Sequence, residues 1–305
     1  MGSMPNPQWC AWLGPVMLGS METETVDNHQ YAWLSEVLPR EPQRVLDVGC
    51  GRGELAAELM RRGHEVTAID ISQEAVDAAR AAGVPAIQAD IVKYPDVAAP
   101  GPDAAAPGPD AAAPGPDAAA PGPDAAAPGP GGAHPGSAVR GYDDGSLFDV
   151  VVMSLSLHHL HPLEAALDRV RTLLVDGGLL LVDEFAWDWA DRAAATWFYD
   201  AGSLLAAAGV ADFTREPGRI GHDPVERWRE AHADHTPAAE MLAALEERFE
   251  VTSVRREPYL SRYLGGKLAE GGSADIVEEL WRIERDRLAA GALPPTGFRM
   301  TARTM

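Results

Sequence analysis

Hydrophobic residues follow two rhythms along this chain. Short unbroken apolar runs recur at RVLDVG (44–49), EVTAID (65–70), VPAIQAD (84–90), FDVVVMS (148–154) and LLLVDE (179–184). Such runs are the pattern of strands buried on both faces of a parallel sheet. Between them the apolar positions return every three or four residues. Leu55, Leu59 and Met60 share one face of a predicted helix over 54–62 that Gly63 closes. Ser72 is placed as the N-cap of a helix running through Ala75, Val76 and Ala79 to Gly83. Pro162 opens a third helix, striped by Leu163, Ala166, Leu167, Val170, Leu173 and Leu174, with Gly177 and Gly178 at its predicted end. Residues 28–38 read as one more helix, laid across the N-terminal side of the sheet. Strands alternating with helices predict a doubly wound, mostly parallel α/β sheet.

The pattern changes twice. The heptad PGPDAAA recurs four times between residues 100 and 127, and PGPGGAHPG follows. Proline and glycine in every repeat forbid a helix, and no large apolar residue is present to bury. Residues 96–141 are therefore expected to be a mobile surface loop, a tolerated expansion rather than a lid, since closure entropy grows only logarithmically with length. From Trp187 to about residue 248 the chain reads as helical and aromatic, a cap with Trp187, Trp189, Trp197, Phe198, Tyr199 and Trp228, in which the cluster from Trp187 to Tyr199 forms more core than acceptor surface. FEVTSVRREPY (249–259) and TGFRMTAR (296–303) read as two final strands around a helix near 276–288. The expected organisation is an N-terminal extension over 1–26 and a single domain over 27–305, interrupted by the 96–141 loop and carrying the 187–248 cap. Met21 is an alternative start.

Composition trims the functions available. The net charge is −21, and only Lys93 and Lys267 supplement the arginines. No basic run exists to displace counterions from a polyanion, so nucleic acid is disfavoured as a partner. Cys10 and Cys50 define neither a disulfide framework nor a thiolate metal site. No stretch approaches the length of a membrane span, and the start has no basic leader, which points to a cytoplasmic protein without membrane contact.

The chemistry gathers at predicted strand ends. Asp47-Val48-Gly49-Cys50-Gly51-Arg52-Gly53 joins the first strand to the first helix, and glycines there let backbone approach a ligand at a helix N-terminus. A dinucleotide fingerprint would need glycine where Glu54 stands, so the loop fits a nucleoside without a pyrophosphate. Asp70, ending the second strand, can accept hydrogen bonds from both ribose hydroxyls. Asp90, ending the third, can meet an adenine amino group, with Ile71 and Ile91 flanking the ring.

These segments carry a resemblance. VLDVGCGRGELA, VTAIDIS, AIQADI, FDVVVMSLSLHHL and GGLLLVDEF resemble the successive motifs of class I S-adenosylmethionine-dependent methyltransferases, closest to quinone-biosynthesis and natural-product enzymes. The likeness covers about residues 28–185 without the repeat loop, where the family usually has only a short stretch. It implies seven strands with the last antiparallel, and S-adenosylmethionine as cofactor. It also implies that Asp47, Gly49 and Gly51 line the methionine end, with Cys50 and Gly53 in the same loop. Asp70 would take the ribose, Asp90 and Ile91 the adenine beside Ile71, and Ser154 and Leu155 would flank the amino acid moiety.

For chemistry, the candidates are His158, His159 and His161, since neutral imidazole is a suitable base near neutral pH. In natural-product relatives the paired histidines and an acidic residue at the fifth strand end face the acceptor, which implies His158 and Glu184 here. The bland reading makes these histidines a cap or loop support. His222, His232 and His235 lack the spacing of a metal site and are expected on a solvated face of the cap, so no metal is expected. The function expected is methyl transfer to an O, N or C nucleophile of a small molecule. A protein methyltransferase, or a cofactor-binding but inactive interaction protein, would share the same cofactor motifs.

Overall fold

A computed structural model describes residues 31–94, 147–213, 223–268 and 274–305. The expected extension, the repeat loop, Cys10 and His222 lie outside the described residues. The chain divides into two compact units, one comprising Pro42–Trp189, His232–Glu257 and Gly297–Met305, the other Ala190–Ala231, Pro258–Thr296 and the residues before Pro42.

The larger unit is built on a seven-stranded sheet in the order β3-β2-β1-β4-β5-β7-β6. Its strands are β1 (Arg44–Val48), β2 (Glu65–Asp70), β3 (Ala86–Gln88), β4 (Phe148–Ser154), β5 (Leu174–Phe185), β6 (Phe249–Glu257) and β7 (Gly297–Thr304). The first five pair in parallel, and β7 runs antiparallel to both β5 and β6. This is the predicted sheet, final antiparallel strand included. Strand order turns at β1 and β4, so their carboxyl ends open the crevice where ligands of open parallel sheets bind.

Local sequence explains the helices of this unit. Gly53, at φ +87°, starts α1 (Glu54–Arg61), whose Leu55, Ala56 and Leu59 are buried. Ser72 caps α2 (Gln73–Ala81) as expected, its Oγ accepting the Ala75 N–H at 3.3 Å. Leu163, Ala166, Leu167, Val170 and Leu173 form the buried stripe of α3 (Leu163–Leu173). That helix stops short of Gly177 and Gly178. Those glycines fall inside β5, where pairing with β4 jumps from Phe148–Leu174 to Val150–Leu179. Gly177 sits at φ +69°, a conformation that suits a strand irregularity as well as a helix end.

One boundary departs from the expected cap. The helix α4 (Ala238–Arg248) belongs to the sheet unit, because Ala238, Met241, Ala244 and Leu245 join the core formed by Leu163, Leu167, Val170, Phe249 and Met300. The smaller unit instead takes residues from beyond β6. It contains α5 (Arg192–Ala207), α6 (Pro224–Ala231), α7 (Leu260–Gly265) and α8 (Ala274–Ala289), together with Leu34–Val37, the described part of the predicted 28–38 helix.

Phe198 centres the smaller unit's core, its ring 5.1 Å from Trp228 and 4.9 Å from Tyr263. Glu284 on α8 is fully buried and accepts the backbone N–H groups of Tyr259, Leu260 and Ser261 at 3.0, 3.0 and 2.7 Å. The start of α7 has no cap of its own, and this carboxylate supplies one.

Candidate active site

The glycine loop folds over the end of β2. The N–H groups of Gly49 and Cys50 both donate to the Ile69 carbonyl, at 2.8 and 3.0 Å. The Gly51 N–H donates to Asp70 Oδ2 at 2.9 Å, while Asp70 Oδ1 accepts the Ser72 N–H at 2.8 Å. Asp70 thus ties the loop to the start of α2 and, as a carboxylate, retains acceptor capacity for a further partner.

The three glycines do different work. A Cβ on Gly49 would stand 2.4 Å from Ser156 Cβ, so the β4 loop fills that space. A Cβ on Gly53 would press on Ala79 and Val84 at 3.0 Å, making Gly53 a packing glycine. Gly51, at φ +55°, has nothing within 4 Å on that side. It alone leaves open space beside the backbone.

Asp47 lies beneath this loop, 1% exposed, with no hydrogen-bond partner for Oδ2 among the described residues. Burial, then the charges of Asp70 and Glu54, push its carboxyl up to about 7. A buried, unpartnered acceptor is unfavourable by itself, and a cationic partner would relieve it. Burial and the neighbouring Asp47 likewise push the Cys50 thiol to about 12, which makes it an inert core residue.

Beyond β2 and β3, Ile71 is 72% exposed, whereas Ile91 is buried. Asp90 sits two residues past the end of β3 rather than on it. Its Oδ1 accepts the Val92 N–H at 3.0 Å, and Lys93 Nζ stands 3.3 Å from Oδ2. The Ala89 N–H donates to the Asp70 carbonyl, which brings this turn alongside Asp70. At the end of β4, Ser154 is half-buried and Leu155 adopts φ +56°, the one non-glycine residue with positive φ among those described. Such conformations are uncommon outside glycine and cluster at functional sites.

The third feature is a dyad. His158, on the one-turn 3₁₀ segment Leu157–His159, is 4% exposed, and its Nδ1 lies 2.5 Å from Glu184 Oε1. Glu184, near the end of β5, also accepts the Leu157 N–H at 2.7 Å and the Phe185 N–H at 2.6 Å. Three donors converge on one buried carboxylate, so Nδ1 of His158 donates and the neutral ring carries its lone pair at Nε2.

His232 and His235 correct the sequence expectation. They are not on a solvated cap face but belong to the sheet unit, His232 at 1% exposure. The His232 ring packs at 5.2 Å from Phe185 and 6.2 Å from Trp187. The Thr236 N–H donates to the His158 carbonyl at 2.9 Å, and Trp187 Nε1 donates to the His235 carbonyl at 3.2 Å. These bonds place the His235 ring 4.8 Å from His158 and 4.5 Å from His159. Nothing in the spacing of His232 and His235 revealed this, because the contact depends on how the chain returns before α4. Ser156 also escaped notice, since only the Gly49 geometry exposes its role. A groove in the smaller unit, lined by Thr196, Trp197, Leu204, Leu205 and Ile283 among others, contains none of the predicted cofactor or catalytic residues.

Residues 19–240 match the family described as "Methyltransferase domain". The chain belongs to that family, whose cofactor is S-adenosylmethionine. It is similar to a trans-aconitate 2-methyltransferase of Mycolicibacterium gilvum, 48% identical over 63 residues, 20% of this chain and 25% of that protein. A ubiquinone biosynthesis O-methyltransferase of Xylella fastidiosa is 46% identical over 52 residues, 17% of this chain and 21% of that one. The aligned stretches therefore span about a quarter or less of these curated relatives. An uncharacterized methyltransferase of Mycobacterium bovis is 31% identical over 163 residues, 52% of this chain and 58% of its own. Among solved structures, an S-adenosylmethionine-dependent methyltransferase of Methanosarcina mazei covers 90% of this chain and 98% of its own, with a TM-score of 0.47 at 18% identity.

Proposed function

We propose that this protein transfers a methyl group from S-adenosylmethionine to an O, N or C nucleophile of a small molecule, with His158 and Glu184 acting on the acceptor. The observation that carries this reading is the buried dyad. A single imidazole lone pair, held by a carboxylate at the carboxyl ends of β4 and β5, is poised beside the glycine loop's strand ends. The names of two relatives, a trans-aconitate and a ubiquinone-biosynthesis methyltransferase, support a small acceptor over a protein one.

The residues present fit the cofactor. Unpartnered Asp47 suits an ammonium group, and the open side of Gly51 suits close approach of a ligand to backbone. Asp70 would hold the ribose, exposed Ile71 and buried Ile91 the adenine with Asp90 at its amino edge, and Ser154 and Leu155 the amino acid moiety. Cys50 and Gly53 would contribute through loop shape. When bound, the cofactor supplies an electrophilic methyl group on a sulfonium. The acceptor's O, N or C atom would take that methyl, the sulfonium leaving as a neutral thioether. His158 Nε2 receives the acceptor's proton, and Glu184 stabilises the imidazolium through Nδ1. Neutral His158 must do this in a site that excludes water and aligns the nucleophile.

The test is His158→Ala. A positioned base contributes about 10²–10⁴-fold, so turnover should fall by that order while cofactor affinity holds. The acceptor itself comes from a screen of small phenolic, amine and quinone compounds by mass spectrometry. Near-normal turnover in the folded variant would make the histidine structural.

A further inference from the structure

The dyad accounts for His158 but not for the two rings against it. His158, His159 and His235 stand with ring centroids 4.0, 4.8 and 4.5 Å apart, and one ligand nitrogen from each lies within 4.8 Å of the others. We propose that these three imidazoles form a binding site for one divalent transition-metal ion of the Zn²⁺ class, with Glu184 as the carboxylate that orients His158. No metal-site spacing shows in the sequence because the third ligand comes from a segment far along the chain.

Four observations converge on the site. The rings belong to two separate segments locked together by the Thr236 N–H on the His158 carbonyl. Nδ1 of His235 is buried and has no hydrogen-bond partner among the described residues, an acceptor or donor left without a use. Glu184 fixes Nδ1 of His158 and bares Nε2, the arrangement of carboxylate, imidazole and metal in which the outer carboxylate sets the tautomer and raises ligand basicity. The set is also chemically homogeneous: three imidazoles without a thiolate or a hard oxygen cage suit zinc, copper, nickel or cobalt rather than calcium or magnesium. A zinc ion sits about 2.0–2.1 Å from each nitrogen, so each ring would close in by under about 1 Å. Three protein ligands leave a fourth position for water or another oxygen.

The ion would take the Nε2 lone pair that the proposed base uses. Zn²⁺ should therefore arrest methyl transfer until a chelator removes it, a consequence that rests on the base reading, as binding itself does not.

The site is tested on full-length, tag-free protein with Co²⁺ and Zn²⁺ alone, before cofactor or acceptor is added. The expected result is one Co²⁺ per chain, visible d–d absorption of a four-coordinate ion, and its displacement by Zn²⁺. His159→Ala and His235→Ala should each weaken Zn²⁺ binding at least tenfold and erase the cobalt spectrum, and Glu184→Gln should weaken it by about 10–100-fold. Absence of cobalt absorption from wild-type protein at micromolar concentrations would overturn the site, whether or not the variants fold. So would wild-type Zn²⁺ affinity in both histidine variants, which marks binding elsewhere. Tight binding with undiminished turnover would uphold the site and count against His158 as base.

Discussion

Asp47 is a buried acid whose Oδ2 has no hydrogen-bond partner among the described residues. Its carboxyl is pushed to about 7 chiefly by burial, so the free protein holds a proton there below neutrality. An ammonium partner binds the carboxylate form and must expel that proton. Cofactor affinity should therefore fall as pH drops below about 7, approaching tenfold per unit, and Asp47→Asn should flatten the profile at a weakened level. Calorimetric titrations between pH 5 and 8 check this; a flat wild-type profile would separate Asp47 from the ammonium. Stability responds in the opposite sense. Between about 4 and 7 the folded state keeps a proton that the unfolded chain has released, so Asp47's contribution declines as pH rises. The acidic strand ends and glycines were legible in the sequence, because their types are tied to their positions. Their division of labour was not. Gly49 yields its space to Ser156, Gly53 to Ala79 and Val84, and only Gly51 faces open space. Such distinctions depend on neighbours that fold in from other segments.

At the scale of elements, periodicity located nearly every strand and helix of the larger unit, and capping chemistry fixed the start at Ser72. It misplaced the junction after α3, where Gly177 and Gly178 resemble a helix end but serve an irregularity in β5. A glycine marks an unusual backbone conformation without saying which element contains it. The smaller unit offers a sharper element-level test. Glu284 satisfies three backbone N–H groups at the start of α7 from another helix. Glu284→Ala would strand those donors in a buried place at about 1–3 kcal/mol each. We expect a loss of roughly 3 kcal/mol or more by denaturant unfolding, with Glu284→Gln losing less because it keeps an acceptor. An unchanged midpoint in Glu284→Ala would mean that water replaces the carboxylate.

For the whole molecule, the mostly parallel sheet followed from the sequence pattern and its antiparallel last strand from the family resemblance, whereas the strand order and the two-unit division did not. A helix such as α4 shows the same apolar spacing whether it covers a sheet or joins a cap, and only its partners Leu163, Phe249 and Met300 decide. No helix among the described residues is long and apolar enough to cross a membrane. Residues 96–141 lie outside those described, and their prediction rests on composition alone. Replacing them with a short Gly/Ser bridge should leave a folded protein with unchanged cofactor affinity, since the repeats offer no large side chain to a core. A collapse of thermal stability in that variant would give the repeats a structural role. That the strand ends of the larger unit hold S-adenosylmethionine is tested most directly by calorimetric titration of the cofactor into wild-type protein and folded Asp70→Ala. We predict saturable one-to-one binding that the substitution weakens by about 1.5–3 kcal/mol, the range for charge-assisted hydrogen bonds; equal affinity in the two proteins would contradict it.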